Sequence, residues 1–203
     1  MKQLFDDTPV IWKVPNAEII YYQHFYEDSI AKDIFETLLN ETPWRQDPIK
    51  VFGKTYPQPR LTALYGDQNL KYGYSGIKMS PLPWTKTLWD IKEKIETLTP
   101  VKFTTVLLNL YRDGKDSNGW HADNEKELGL NPCIASLSLG QSRVFRLKHN
   151  TIKDEKLNIE LQHGSLLLMG GTTQHFWKHQ IAKTAQPMKP RINLTFRVVI
   201  PTS

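Results

Sequence analysis

The chain has 203 residues, room for one compact domain with an extension. Lys and Arg number 26 against 21 Asp and Glu, a formal charge of +5, and hydrophobic residues reach 39% with 11% aromatics. That composition excludes a disordered chain, and no apolar run approaches the roughly 18 residues that span a bilayer.

Met1 to Asp7 lacks an apolar stretch and turns acidic at once, which argues against a secretory leader. Residues 1–60 hold 7 basic and 9 acidic side chains, and residues 61–203 hold 19 and 12. A basic body permits a polyanionic partner without requiring one. The first fifty residues read as a loose lead-in followed by one helix. Over 28–41, Ile30, Ile34, Phe35, Leu38 and Leu39 form one stripe, Asp28 or Ser29 caps it, and Pro43 ends it. From Val51 to Pro83 the chain is rich in Gly, Pro and Tyr and reads as hairpins and loops over one mouth of the body. A second helix is expected from about Pro83 to Thr97, with Leu88, Ile91, Ile95 and Leu98 on one face. After Pro100 come short aliphatic runs at 103–111, 133–139, 143–148, 157–161, 165–169, 175–181 and 191–200, punctuated by Gly119, Gly140, Gly164 and Gly170-Gly171. Many short strands at close spacing predict an antiparallel double sheet, sandwich or barrel-like, over about 100–203. The single Cys133 forms no internal disulfide, which suits a reducing cytosol, and its apolar neighbours make it a buried structural thiol.

The chemistry starts at His121-Ala122-Asp123. Residues i and i+2 of a strand face the same way, so the imidazole and carboxylate can converge on one point. They make two-thirds of a two-His-one-carboxylate set, which leaves metal positions open for O2 and a cosubstrate. Alone, the pair reads more readily as a solvent-exposed loop than as a metal site. Four later histidines compete for the third place. His149 reads as loop, His163 before Gly164 as turn, and His175 and His179 both sit on the late strand, where spacing does not separate them. In Arg191-Ile192-Asn193-Leu194-Thr195-Phe196-Arg197, alternation puts Arg191, Asn193, Thr195 and Arg197 on one face. Two inward arginines need anions, and Arg binds carboxylates bidentately. Asn109 and Tyr111 share a face at the end of an apolar strand and can bond the same carboxylates. Together these features point to an Fe(II) site with 2-oxoglutarate.

The sequence resembles the AlkB family of Fe(II)/2-oxoglutarate-dependent dioxygenases, which repair alkylated bases. The resemblance runs from about Val51 to Pro201. It rests on Asn109-Leu110-Tyr111, His121-Ala122-Asp123, the run from Ile134 to Gly140, the run from His163 to Leu167, and above all Pro190 to Arg197. It implies a mainly β fold with flanking helices, a double-stranded β-helix or jelly roll. The whole chain would be one domain: an N-terminal extension and helix at about 1–45, nucleotide-recognition hairpins at about 46–83, and a catalytic core at about 100–203. It also implies His179 as the third iron ligand beside His121 and Asp123, since His179 follows Phe176-Trp177-Lys178 twelve residues before Arg191. By the same resemblance Arg191 holds the distal carboxylate of 2-oxoglutarate, Arg197 lies near its metal-chelating end, and Asn109, Tyr111, Asn193 and Thr195 complete that pocket.

The front half is similar to a narrower branch, the eukaryotic-type DNA repair members and their bacterial relatives, through Val51 to Lys54, Pro59-Arg60, Tyr65 to Asp67 and Tyr72 to Gly76. The resemblance makes Phe52 an apolar wedge that fills the gap left by a flipped base, beside Gly53 and Lys54, with Arg60, Tyr72 and Tyr74 also contacting substrate. Asn124 stands where duplex-preferring relatives tend to carry an acid. The implied activity is oxidative demethylation of bases such as 1-methyladenine and 3-methylcytosine in single- or double-stranded DNA, with RNA as a further substrate. Fe(II), O2 and 2-oxoglutarate are consumed or used, and succinate, CO2 and formaldehyde are released. The competing expectations are a related dioxygenase acting on RNA or a protein side chain, and a metal-free nucleic-acid-binding module. A monomer without membrane contact is expected, in a bacterial cytosol or, in a eukaryote, the nucleus.

Overall fold

The computed structural model describes residues 8–51, 53–68, 72–74 and 77–200, with the side chains of residues 50, 51, 72–74 and 77–79 outside that description. The chain opens with β1 (Val10–Trp12), β2 (Glu18–Tyr22) and helix α1 (Asp28–Glu41). The hairpin of β3 (Pro48–Val51) and β4 (Lys54–Pro57) follows, then β5 (Leu61–Gly66) and the hairpin of β6 (Tyr72–Tyr74) and β7 (Ile77–Met79). Helix α2 (Lys86–Glu96) leads into β8 (Thr105–Tyr111) and β9 (Asn118–His121). Next come β10 (Ile134–Gly140), β11 (Arg143–His149), β12 (Lys156–Leu161) and β13 (Ser165–Gly170). A single helical turn, α3 (Thr173–Phe176), precedes β14 (Trp177–Ile181) and β15 (Arg191–Arg197).

Seven strands form the larger sheet in the order β1-β2-β13-β10-β15-β8-β5, and four form the smaller, β12-β11-β14-β9. Every pairing within the two sheets is antiparallel, and they face each other as a jelly roll. Helices α1 and α2 cover the outer face of the larger sheet. Ala31 and Leu38 of α1 and Leu88, Ile91 and Ile95 of α2 share one core with Val106, Leu108, Leu110, Leu137, Ile192, Leu194 and Phe196. Each such aliphatic side chain contributes about 1.5–3 kcal/mol on burial, so this layer anchors both helices. The opposite residues of the same strands look between the sheets, where Tyr111, Ile134, Leu167 and Met169 meet Phe145, Leu147 and Trp177. Strand β15 is therefore buried on both faces. With Ile192, Leu194 and Phe196 claimed by the helix layer, its polar residues must point into the sandwich.

The helices lie close to the expected bounds. Thr85 caps α2 by accepting from the Leu88 N–H at 3.2 Å, and Leu98 falls beyond the helix and is exposed. Neither Asp28 nor Ser29 caps α1; the cap position is Glu27, with no side-chain bond. Three expectations are corrected. The lead-in is not loose, because β1 and β2 extend the larger sheet through β13. The 46–83 segment is not only hairpins, because β5 pairs along β8 as that sheet's other edge. His149 is no loop residue; it ends β11, is buried, and accepts from the N–H groups of Thr151 and Ile152. β1 is three residues long, and β2 and β5 join the sheet through β13 and β8, remote in sequence, so each leaves only weak periodicity.

Candidate active site

His121 is the last residue of β9, and His179 lies in the middle of β14, directly opposite it in register. Their Nε2 atoms are 3.1 Å apart. Asp123 lies two residues beyond the end of β9, buried, with Oδ1 3.9 Å from His121 Nε2. The three ligand atoms fall within 4.8 Å of one another. His121 Nδ1 sits 2.7 Å from the Gly119 carbonyl, a geometry that puts its proton on Nδ1 and its lone pair on Nε2. Asp123 Oδ2 accepts from Arg197 Nη2 at 2.9 Å, while Oδ1 is buried with no hydrogen-bond partner. Burial raises the Asp123 pKa, but Arg197 and the two histidines outweigh it and hold it at about 2. Burial lowers His179 to about 3, helped by His121, and burial also lowers His121. The cluster therefore offers one carboxylate and two neutral imidazoles, with an orphaned carboxylate oxygen aimed among them. That donor set fits a divalent transition metal with open positions.

Behind it, the inward face of β15 meets β8 and β10. Arg191 is fully buried, and its Nη2 donates to Ser138 Oγ at 3.0 Å. Its Nε and Nη1 have no partner, and its guanidinium carbon lies 5.2 Å from the Tyr111 ring centre. Burial pulls its pKa from 12.5 to about 10. A buried cation with two idle donors is a receptor for a carboxylate. Asn193 donates to Ser136 Oγ and to the Leu137 carbonyl and accepts from Thr195 Oγ1 at 3.1 Å. Asn109, Tyr111, His121, Asp123, His179 and the four polar residues of β15 line a single cavity.

The other expected residues divide. Arg60 is buried, not presented at the surface: its Nε donates to Asn109 Oδ1 at 2.7 Å and its Nη1 to the Ser117 carbonyl at 3.2 Å. It braces the cavity wall by fixing which way the Asn109 amide points. Gly53 and Lys54 are exposed at the tip of the β3–β4 hairpin, with Gly53 at φ +78°. Asn124 is exposed beside Asp123. Phe52 and the side chains of Tyr72 and Tyr74 lie outside the described residues. His175 is not on the late strand but in the exposed turn α3, and His163 accepts from the Gly140 N–H at 2.8 Å.

Several supporting residues are not singled out by the sequence, although Ser136 and Ser138 lie in the run from Ile134 to Gly140. Ser136 and Ser138 receive the donors of Asn193 and Arg191. Gln174, 1% exposed, accepts the Asp123 N–H at 2.9 Å and donates to Met169 Sδ at 3.7 Å. Asp123 has left the β9 ladder, so Gln174 replaces a strand partner for its backbone. Arg143 is buried and satisfied by the carbonyls of Asp113, Asp116 and Ala182.

Comparison with known proteins places these features. The sequence model of the 2OG-Fe(II) oxygenase superfamily matches residues 18–197. The mouse alpha-ketoglutarate-dependent dioxygenase alkB homolog 3 is 42% identical over 194 residues, covering 91% of this chain and 67% of that protein. The bovine counterpart is 44% identical over 180 residues, covering 84% and 62%. The bovine DNA oxidative demethylase ALKBH2 is 37% identical over 210 residues, covering 98% and 76%. The chain thus spans about two thirds of the length of the alkB homolog 3 proteins it matches. Among solved structures, OsALKBH1 superposes with a TM-score of 0.62 at 16% identity, covering 92% of this chain and 99% of that one. A prolyl hydroxylase from Trichoplax adhaerens also scores 0.62 at 12% identity, covering 89% and 83%. At those identities the two structures speak for the fold alone.

Proposed function

The chain belongs to the AlkB family of 2OG-Fe(II) oxygenases, and from that premise we propose that it demethylates N-alkylated bases in DNA. The observation that carries the reading is the buried His121, Asp123 and His179 cluster facing a fully buried Arg191 with two idle donors. A metal and a carboxylate cosubstrate answer both needs at once. His121 Nε2, Asp123 Oδ1 and His179 Nε2 would hold Fe(II), and Arg191 would grip the far carboxylate of 2-oxoglutarate. Bound there, the pair supplies O2-driven hydroxylation of a C–H bond, coupled to conversion of 2-oxoglutarate into succinate and CO2. An N-methyl carbon hydroxylated in this way leaves as formaldehyde and restores the base.

The chain's own residues set the conditions. The Gly119 carbonyl fixes the His121 tautomer, and Arg197 keeps Asp123 ionised. Tyr111, Phe145, Leu161 and Ile181 wall the cavity with apolar surface and limit water. Arg60 turns Asn109 so that its amide N–H groups face the cosubstrate. The exposed Gly53 and Lys54 put a basic hairpin tip where a phosphate could meet it. Phe52 beside them would fill the gap of an extruded base. The mouse and bovine relatives named for dioxygenase and DNA oxidative demethylase activity support the substrate class.

The test incubates the purified protein with Fe(II), ascorbate, 2-oxoglutarate and oligonucleotides carrying 3-methylcytosine, single- and double-stranded. Restored cytosine and formaldehyde are expected in equal amounts, dependent on both iron and 2-oxoglutarate. Absence of such repair on either strand form sinks the reading.

A further inference from the structure

The outer face of the smaller sheet carries charges that its own folding does not explain. Register places Lys148 of β11 directly opposite Lys156 of β12 on one side and Lys178 of β14 on the other. The burial alternation of these strands points all three away from the sandwich. Like charges directly opposed across neighbouring strands destabilise a sheet. No ion pair relieves them among the described residues. The next row adds Arg146 between Asn158 and Gln180. Within these strands the outward face holds one carboxylate, Glu160, which pairs with Val144 a further row away.

An aromatic flanks the row. Trp120 lies on the edge strand β9, is 40% exposed, and has Lys148 Nζ 4.4 Å from its ring centre. Trp120 and Lys178 each immediately precede a metal-cluster histidine on their own strands, His121 and His179. The basic row thus crosses β12, β11 and β14 at about 4.8 Å per strand, next to the edge strand on which the metal cluster begins.

We propose that Lys156, Lys148, Lys178 and Trp120 form a track for the phosphate backbone of a nucleic-acid strand, with Trp120 as a stacking platform for an unpaired base next to the one undergoing reaction. The track deepens the proposed function and rests on that reading for its ligand. Lysines spaced by one strand each can follow successive phosphates, and every base offers a π-face to an indole. A polyanion along the row turns the repulsion among three lysines into attraction. The same row on a protein with no such partner would only weaken the sheet.

The test compares the parent with the triple variant Lys148→Gln, Lys156→Gln, Lys178→Gln and with Trp120→Ala. Binding of an unmodified 20-mer single strand is measured by fluorescence anisotropy from 0.05 to 0.5 M salt. Each lost phosphate contact should flatten the slope of log affinity against log salt by about 0.7, about 2 for all three, which at 0.1 M salt is roughly a hundredfold weaker binding. Trp120→Ala should weaken binding about tenfold or more with the salt slope unchanged. Conversion of 2-oxoglutarate to succinate without nucleic acid should match the parent in both variants, and demethylation of a methylated trinucleotide too short to span the row should match it in the triple variant. The triple variant should melt no lower than the parent. An unchanged salt slope in the triple variant overturns the track, whatever the enzyme does to bases. Loss of trinucleotide turnover together with a lowered melting temperature also overturns it, because the lysines would then serve the fold. Failure of the parent itself to demethylate the trinucleotide or any oligonucleotide removes the proposed function instead, a separate and distinguishable result.

Discussion

Arg191→Met separates a ligand-binding arginine from a structural one by the sign of two effects. In the unliganded protein the guanidinium is fully buried, and Nε and Nη1 have no partner. A fall in pKa from 12.5 to about 10 corresponds to about 3 kcal/mol against the charged form. Against that stand the bond to Ser138 and the contact with the Tyr111 ring, roughly 1 kcal/mol each. Methionine keeps most of the aliphatic stem and adds no charge. The unliganded variant should therefore be as stable as the parent or up to about 1 kcal/mol more so. Ordinary truncation of a buried side chain costs about 2–5 kcal/mol. For a domain of this size 1 kcal/mol moves Tm by about 2–4 °C.

Binding should move the other way. Removing one partner of a desolvated charge pair costs about 2–5 kcal/mol, which is roughly 30- to several-thousand-fold in Kd. Thermal melts with Mn(II), with and without 2-oxoglutarate, read both effects at once. At a hundred times Kd the cosubstrate contributes about 2.7 kcal/mol, so the parent should gain about 5–10 °C and the variant almost nothing. A variant that melts 8 °C or more below the parent, yet still gains the full 2-oxoglutarate shift, would refute the reasoning. Arg191 would then be a strut of the sandwich and the carboxylate would bind elsewhere.

Four further outcomes follow, three from the site geometry and one from the role the resemblance gives Phe52. At pH 6.5 two ordinary imidazoles would release about one proton on taking up a metal, but burial lowers both His121 and His179. Calorimetric Mn(II) titrations in buffers of different ionisation enthalpy should find clearly less than one, and one proton per metal would contradict it. Because the folded pKa of His179 is about 3, below its unfolded 6.5, this residue's contribution is complete above pH 6.5 and is lost as pH falls toward 3. The metal-free protein should accordingly melt lower at pH 5 than at pH 7, and His179→Gln should flatten that dependence. Gln174→Leu removes the acceptor for the Asp123 N–H. It should weaken Mn(II) binding about tenfold, while Gln174→Glu, which keeps an acceptor, restores most of it; equal losses in both would show that Gln174 only fills space. Phe52→Ala should lower repair of duplex substrate at least tenfold and leave single-stranded repair within about threefold; an unchanged duplex rate removes the wedge.

Much of the site was legible because its residues break the rules of their own elements. Arg191, Asn193, Thr195 and Arg197 stand at alternate positions of a run whose other positions are Ile192, Leu194 and Phe196. A surface strand would show the same alternation, so the pattern gave the face and not its burial. Burial comes from α1 and α2 covering the apolar side, a tertiary fact. His121 and Asp123 were found by spacing, but His175 and His179 looked equivalent because a strand of period two makes i and i+4 alike. The structure breaks that tie by ending α3 at Phe176, which leaves His175 in an exposed turn. Gln174 was not found at all, and Arg60 and Ser138 stood in recognised runs without their bracing roles being legible, because each acts on a residue 49 or more positions away. No local pattern encodes a partner at that distance.

The two faces of the smaller sheet make one argument about where sequence and function part. On the inner face, His179 is a buried imidazole whose proton has been driven off. On the outer face, one residue earlier, Lys178 opposes Lys148, which opposes Lys156. Each arrangement weakens the unliganded protein, the first by desolvation and the second by like-charge repulsion. As proposed, each would be relieved by a ligand, a metal cation on the imidazole lone pair inside and a phosphate chain against the lysines outside. Natural sequences tend to break local consistency at functional sites, and β14 does so on both faces within two consecutive residues. Its apolar alternates, Trp177 and Ile181, belong to the core between the sheets and hold the strand in place while neither ligand is bound.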